Sequence, residues 1–139
     1  MAKRDPLDTL FSEFIRKRAL IRVGGCERCL TPKYDTTRED GSTYPAFMHL
    51  EASHYIGRTT KCVRWDEDNA VGLCAGCHMH LEHHPDEHRE WFANKLGQEA
   101  PELLRGRQRI RQRPDRAALF LYYKHKIQEL NRNPVITTP

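Results

Sequence analysis

The sequence predicts an α+β fold in which a strand, strand, helix unit lies between flanking N- and C-terminal α-helices and is pinned by four cysteines. Three observations support it. Apolar residues recur at helical spacing near both ends of the chain, residues 47–56 alternate as a strand does, and two Cys-x-x-Cys pairs flank that strand. With 139 residues, one compact body is expected. We place it at residues 1–100, with the strand, strand, helix unit at about 47–84 and a basic helical C-terminal extension at 101–139.

The first predicted helix begins at Asp5 and Pro6, a capping residue followed by a proline suited to the first helical turn. Its apolar residues recur at steps of three and four up to about Leu20, which indicates a packing helix without chemistry. Residues 31–44 are polar and contain the turn pair Asp40-Gly41, so they predict a loop or a weak hairpin.

Four of the five cysteines form two pairs at the spacing with which one turn directs two thiolates at one tetrahedral Zn²⁺. We therefore predict a zinc knuckle and a structural Cys₄ zinc site. A zinc site in which His80 or His83 replaces one cysteine remains open. The fifth cysteine, Cys62, is expected to be a half-buried strand residue. The four predicted ligands are Cys26, Cys29, Cys74 and Cys77.

The alternating segment at residues 47–56 predicts the first strand of the unit. After a turn at 57–60, residues 61–65 are expected to return as the second strand, and 66–72 to form a loop. A helix should begin near Cys77 and end before Pro85, which cannot lie inside one. One face of the first strand carries Met48, Leu50, Ala52, His54 and Ile56, and the other carries His49, Glu51 and Ser53.

Three further segments complete the chain. Pro85 suits the first turn of a helix that Gly97 ends, and residues 101–104 can continue helically. Residues 105–113 alternate arginine with other residues, so an extended conformation would place the arginines on one face along a DNA backbone. A last helix is predicted at about 115–130, with Ala118, Leu121, Tyr122 and His125 on one face.

The charge of the chain is uneven. Residues 101–139 hold nine Lys and Arg against three acids, a net charge of +6, whereas the first hundred residues carry −2. A basic tail on a nearly neutral body indicates a polyanionic partner, most simply DNA. The alternative is a solvated tail that aids solubility. The predicted DNA contacts are Arg58, Arg105, Arg107, Arg109, Arg111 and Arg113.

Four residues within residues 50–82 suit metal-dependent hydrolysis of a phosphodiester. His54 can act as a general base, and His78 and Glu82, four residues apart on one helical face, can share a divalent ion. Asn69 can brace the backbone that holds the histidine. Taken singly, three of them have simpler explanations: His54 as a hydrogen-bonded core histidine, Asn69 as a turn residue and His78 as a spare zinc ligand. The joint spacing, 15 residues from His54 to Asn69 and nine to His78, favours a site.

The segment ASHYIGRTTKCVRWDEDNAVGLCAGCHMHLE, residues 52–82, resembles the HNH family of His-Me finger (ββα-metal) endonucleases, in the form whose CxxC pairs pin the finger with zinc. The resemblance implies a ββα-metal finger with His54 as general base, Asn69 as the central asparagine and His78 as a ligand of catalytic Mg²⁺ or Mn²⁺. Many members place Asp or His before the base, where this chain has Ser53. Glu82, Ser53, Glu51 or waters are then expected to complete the metal shell. More loosely, the chain is similar to phage Rap (NinG) recombination nucleases, which act on branched DNA.

The resulting expectation is a metal-dependent DNA endonuclease, phage-related and acting on branched or recombination DNA. Two alternatives stay open: a zinc-stabilised DNA-binding or recombination accessory protein without cleavage, and an HNH ribonuclease. No apolar run is long enough to cross a bilayer and no signal peptide is recognisable at the start, so a cytoplasmic protein is expected. The oligomeric state, including a homodimer, stays open.

Overall fold

The computed structural model describes residues 3–97, 99–110 and 112–132, and over these residues the chain is an α+β protein, as predicted. The described residues form six α-helices and two antiparallel sheets of two strands each. In chain order the elements are α1 (Pro6–Val23), β1 (Thr36–Thr37), β2 (Thr43–Tyr44), β3 (Glu51–His54), α2 (Lys61–Arg64), β4 (Ala70–Leu73), α3 (Ala75–Glu82), α4 (Pro85–Leu96), α5 (Ala100–Ile110) and α6 (Arg116–Arg132). Short 3₁₀ turns occupy Ala46–His49 and Glu67–Asn69.

The predicted first helix is confirmed and is three residues longer than expected. The Asp5 carboxylate accepts the Leu7 N–H at 2.9 Å, which caps the N-terminus, and Pro6 occupies the first turn. Gly24 ends the helix in the left-handed region at φ 73°, and its N–H donates to the Leu20 carbonyl. A short hairpin, β1 with β2, follows within the polar segment.

The strand that pairs with β3 is β4, and the prediction of a second strand at residues 61–65 is wrong. The register joins Glu51 to Leu73 and His54 to Ala70. Residues 61–64 form helix α2 instead, inside the connection between the strands. The error has a physical cause: all four residues of β4 are buried, so the strand is an apolar run without alternation, and periodicity cannot recognise it.

Helix α1 lies directly on β4. A Cβ atom built on Gly72 would stand 2.6 Å from the Ala19 Cβ, so only glycine allows this approach. Behind this contact lies a core shared by α1, β4, α3 and α4. Its buried members are Ala19, Leu20, Cys26, Ala46, Leu50, Val71, Leu73, Cys77, Leu81 and Phe92.

Helices α3 and α4 agree with the prediction. Helix α3 begins at Ala75, just before Cys77, and ends at Glu82, ahead of Pro85. Helix α4 has Pro85 in its first turn and ends at Leu96, before Gly97.

The C-terminal segment differs from the prediction in two ways. Helix α5 continues to Ile110, so Arg105, Arg107 and Arg109 are helical rather than extended, and residues two apart on a helix do not share a face. Helix α6 buries Tyr123 and Ile127 against α1, rather than the predicted face of Ala118, Leu121, Tyr122 and His125. Leu121 is 72% exposed. Which face of α6 is buried depends on where α6 packs against α1, and the sequence of α6 alone does not specify this.

No helix in the described part of the chain is both long and apolar enough to cross a membrane.

Candidate metal centres and active site

Four cysteine sulfurs from two distant parts of the chain converge. The Sγ atoms of Cys26, Cys29, Cys74 and Cys77 all lie within 4.8 Å of one another, and Cys29 Sγ is 3.8 Å from Cys74 Sγ. Sulfurs bound to one tetrahedral Zn²⁺ at about 2.3 Å lie about 3.8 Å apart. The cluster therefore has the dimensions of a structural zinc site, as the spacing predicts. His80 and His83 are not members of it.

Contacts of the backbone N–H groups with sulfur and a close backbone approach fix the turns that carry the thiols. Backbone N–H groups of Arg28 and Cys77 each point at a cysteine sulfur, Cys26 and Cys74 respectively, at 3.4 Å. A Cβ on Gly25 would stand 2.0 Å from the Thr31 carbonyl oxygen, so the first turn requires glycine there. N–H donors directed at sulfur stabilise thiolates, which is the form that binds zinc.

Two thiols have shifted pKa values in opposite directions. Hydrogen bonds from Thr31 lower the pKa of Cys29 to about 6, whereas burial raises the pKa of Cys77 to about 12. The Arg28 guanidinium donates to Cys77 Sγ at 3.4 Å and offsets part of the cost of burying a thiolate, and zinc binding at the cluster would offset more of it. Cys62 is half-buried, as expected, but lies on α2 rather than on a strand.

Glu27, between Cys26 and Cys29, joins the first cysteine turn to the sheet formed by β3 and β4. Its Oε2 accepts the Gly72 N–H at 2.7 Å, and its own N–H donates to the Gly72 carbonyl at 3.0 Å. Arg22 and Lys95 lie 3.4 and 3.6 Å from the same buried carboxylate. The turn that holds Cys26 and Cys29 is thereby docked against strand β4.

His54 closes strand β3 with its ring largely buried. Its Nε2 lies 2.9 Å from the backbone carbonyl oxygen of Arg64. Since a carbonyl only accepts, Nε2 carries the proton, and Nδ1 of the neutral ring retains its lone pair. Burial lowers the pKa of His54, which favours this neutral form. The ring thus has the properties of a general base.

The carbonyl that orients His54 is itself held in place by Asp8, a residue that the sequence analysis missed. The Asp8 carboxylate pairs with the Arg64 guanidinium and accepts the Trp65 indole N–H at 2.9 Å. Asp8 is 7% exposed. A carboxylate placed next to Leu7 on the buried stripe of α1 was the available sign that it has a fixed partner.

Asn69 braces the connection that follows His54. Its side-chain Oδ1 accepts the Ile56 N–H at 2.8 Å, and its Nδ2 donates to the carbonyls of Ile56 and Val63, both at 2.9 Å. The residue is fully buried. It therefore has the bracing geometry that the sequence analysis predicted, and it acts on backbone rather than on substrate.

His54 and His78 line the same open cavity of about 640 Å³. The Nδ1 atom of His78 is buried without a hydrogen-bond partner, and its Nε2 lies 3.6 Å from Glu82 Oε1. Two neighbouring ligands of one octahedral cation at 2.0–2.1 Å are about 3 Å apart, so a small shift suffices for His78 and Glu82 to share an ion. The nitrogen beside the carboxylate, Nε2, can therefore bind a cation together with Glu82, whereas the unpaired Nδ1 of the same ring faces away from that ion. Glu51 and Ser53 also line the cavity, although Ser53 is only 3% exposed.

His88 on α4 also lines this cavity, and the sequence analysis did not identify it. Its Nε2 lies 3.2 Å from the His54 carbonyl oxygen, and its ring stacks on Tyr55. Burial lowers its pKa. The available sign was its position four residues before the buried Phe92, which places both on the inward face of α4.

The structure divides the predicted DNA-contacting arginines into separate groups. Arg58 lines the cavity, together with Arg4 and Arg16, which the sequence analysis missed. Arg107 lies 2.7 Å from Asp66 and 3.1 Å from Asp68, and Arg105 donates to the Tyr55 hydroxyl at 3.3 Å. Arg109 and Arg113 are exposed, and Arg111 lies outside the described residues.

Comparisons with protein-family models, with curated proteins and with solved structures gave no significant match to this chain.

Proposed function

We propose that this protein is a metal-dependent endonuclease that hydrolyses phosphodiester bonds in DNA. One observation carries the proposal: a single cavity brings together an oriented neutral histidine, His54, and a second histidine, His78, whose Nε2 lies 3.6 Å from Glu82 Oε1. The first is suited to activating water and the pair to holding a cation. The resemblance of residues 52–82 to HNH endonucleases agrees with these roles.

His54 is the base in the proposed reaction. Its Nδ1 takes a proton from a water molecule, and the resulting hydroxide attacks the phosphorus. The bond from phosphorus to the 3′ oxygen breaks, that oxygen takes up a proton from solvent, and the products carry a 5′ phosphate and a 3′ hydroxyl. Because the hydrogen bond to the Arg64 carbonyl fixes the protonated nitrogen, no tautomer exchange is needed before the transfer.

His78 and Glu82 would hold the catalytic Mg²⁺ or Mn²⁺. When bound, a divalent cation supplies positive charge that stabilises the leaving oxygen. The imidazole ligand favours Mn²⁺ over Mg²⁺, since Mg²⁺ prefers oxygen ligands. Asn69 and Asp8 are positioning residues: one braces the loop after His54, and the other holds Arg64, whose carbonyl orients the base.

Arginines at the cavity are suited to the DNA backbone. Arg4, Arg16 and Arg58 place three guanidinium groups on the lining that also contains His54. Guanidinium groups bind phosphate oxygens with paired hydrogen bonds. We infer that the strand to be cleaved passes between these arginines and α3.

The test is cleavage of supercoiled plasmid by the purified zinc-loaded protein with Mn²⁺ or Mg²⁺. We expect nicking that EDTA abolishes, and a His54→Ala rate lower by roughly 10²–10⁴-fold with DNA binding retained. His125→Ala is the matched control, because His125 is 63% exposed on α6 and pairs with Glu129. Equal cleavage by His54→Ala and wild type would refute the role of His54. A panel of linear, branched and single-stranded DNA and of RNA then identifies the substrate, including the ribonuclease alternative.

One observation favours a second function, a zinc-stabilised DNA-binding or recombination accessory protein. Position 53 holds a buried serine, which offers no charge to a cation. If Ser53 leaves the cation too weakly held, the protein would bind DNA without cutting it. DNA binding by wild type with no cleavage in Mg²⁺ or Mn²⁺, together with cleavage by Ser53→Asp, would support this alternative over the nuclease.

A further inference from the structure

A second group of metal-ligating side chains lies at the corner between α3 and α4. It consists of His80 on the last turn of α3, His84 in the connection, and Glu87 on the first turn of α4. One ligand atom from each lies within 4.8 Å of the others. None of the three belongs to the cysteine cluster or to the cavity that His54 and His78 line.

The backbone preorganises this group. His84 Nδ1 lies 2.7 Å from the His80 carbonyl oxygen, and since the carbonyl accepts, Nδ1 carries the proton and Nε2 keeps its lone pair. An imidazole whose far nitrogen donates to a carbonyl is the arrangement common among metal-binding histidines. The two rings are nearly parallel, with centroids 4.1 Å apart, so His80 and His84 face the same side of the corner.

Glu87 supplies the third ligand. Pro85 in the first turn of α4 sets the direction of that helix and brings the Glu87 carboxylate to 2.6 Å from His80 Nε2. Both partners of the hydrogen bond are groups that bind metals once the imidazole proton is released.

We propose that His80, His84 and Glu87 form a binding site for a borderline transition-metal cation, such as Zn²⁺, Ni²⁺ or Co²⁺, with water completing the coordination. Two imidazoles and one carboxylate are the ligand types that such cations prefer. The Arg28 guanidinium lies 3.9 Å from the Glu87 carboxylate and opposes a cation there. The site is therefore weaker than the four-thiolate cluster and is filled after it.

A cation at this site would link α3 to α4. Helix α3 carries His78, and α4 carries His88, whose ring reaches the His54 carbonyl. Coordination across the corner adds a connection that is absent from the unfolded chain, so it stabilises the folded state by mass action. The expected consequence is a rise in melting temperature with added metal.

The experiment uses the full chain, zinc-loaded at the cysteines and without a polyhistidine tag, in a His78→Ala background that removes the proposed catalytic cation site. Calorimetric titration with Ni²⁺ should give one equivalent, with the zinc content unchanged and the melting temperature raised. Adding His84→Ala or Glu87→Gln should abolish this equivalent. His83→Ala is the matched control, because His83 is the exposed neighbour outside the group.

Three outcomes would overturn the proposal: no Ni²⁺ equivalent in the His78→Ala protein, an equivalent that survives His84→Ala, or an equal loss with His83→Ala. Each is independent of the nuclease proposal, since the measurement does not involve DNA.

Discussion

The side-chain amide of Asn69 pairs with both backbone polar groups of Ile56, accepting its N–H at 2.8 Å and donating to its carbonyl at 2.9 Å. The same amide nitrogen reaches the Val63 carbonyl. Asn69 therefore supplies hydrogen bonds to the backbone just beyond the end of β3, where pairing with β4 has ended. It also links this backbone to helix α2, which contains Val63.

Replacement of Asn69 by alanine should lower both stability and activity. Buried N–H and carbonyl groups of Ile56 and Val63 would lose their partner, at a cost of about 1–3 kcal/mol for each group left unsatisfied. Urea unfolding and plasmid nicking measure the two effects. Asn131→Ala, which removes only an exposed contact with Lys17, should stay within about 0.5 kcal/mol of wild type. An Asn69→Ala protein with wild-type stability would contradict the bracing role.

Acidification should destabilise the protein through His54. Burial lowers the pKa of His54 in the folded state, so below about pH 6.5 the unfolded chain binds a proton that the folded chain does not. Stability therefore rises with pH between the lowered pKa of folded His54 and about pH 6.5, and it is lost as the pH falls through that interval. His88, whose pKa is also lowered by burial, acts in the same direction.

The measurement is the free energy of unfolding at pH 5.5 and 7.5 for wild type and His54→Gln. We expect a smaller difference between the two pH values in the variant. His125→Gln serves as the surface control and should keep the wild-type difference. An unchanged pH dependence in His54→Gln would show that the His54 ring is not held neutral.

Zinc removal should unfold the region around Cys26, Cys29, Cys74 and Cys77. The cysteine turns follow directly from α1 and β4, and binding of a structural metal is coupled to folding. We expect one zinc per chain, lost together with cooperative thermal unfolding in Cys29→Ser or Cys74→Ser. Cys62→Ser is the control, since Cys62 lies outside the cluster, and it should retain the metal. Full zinc content in both Cys29→Ser and Cys74→Ser would exclude the assignment of a zinc site with four cysteine ligands.

DNA binding should depend more on the arginines of the cavity than on Arg107. Removal of one side chain that neutralises a phosphate reduces the slope of log K against log salt concentration by about 0.9 for duplex DNA. We expect this reduction for Arg4→Ala and for Arg58→Ala. Arg107→Ala should change the slope less, because Asp66 and Asp68 already neutralise that guanidinium. Titrations at four salt concentrations provide the comparison. An equal reduction of the slope for Arg107→Ala would contradict this prediction and would indicate that the C-terminal segment contacts the DNA backbone.

The sequence by itself determined the features that depend on residues close together in the chain, such as the cysteine turns and several helix ends. The Cys-x-x-Cys spacing predicted the sulfur cluster, because two residues between ligands suit one turn around a tetrahedral ion. The start of α1 and both ends of α4 followed from Asp5, Pro6, Pro85 and Gly97, whose backbone preferences act at their own positions. His54, His78 and Asn69 were also recognisable, since their spacing is a property of the chain.

Only the tertiary structure decided which elements meet. It paired β3 with the fully buried β4 rather than with residues 61–65, and it brought His88 from α4 to the His54 carbonyl. It also set Asp8 of α1 against Arg64, and so fixed the orientation of the proposed base. These relationships join residues 16 to 56 positions apart, where packing selects among alternatives that the periodicity of a single segment cannot distinguish.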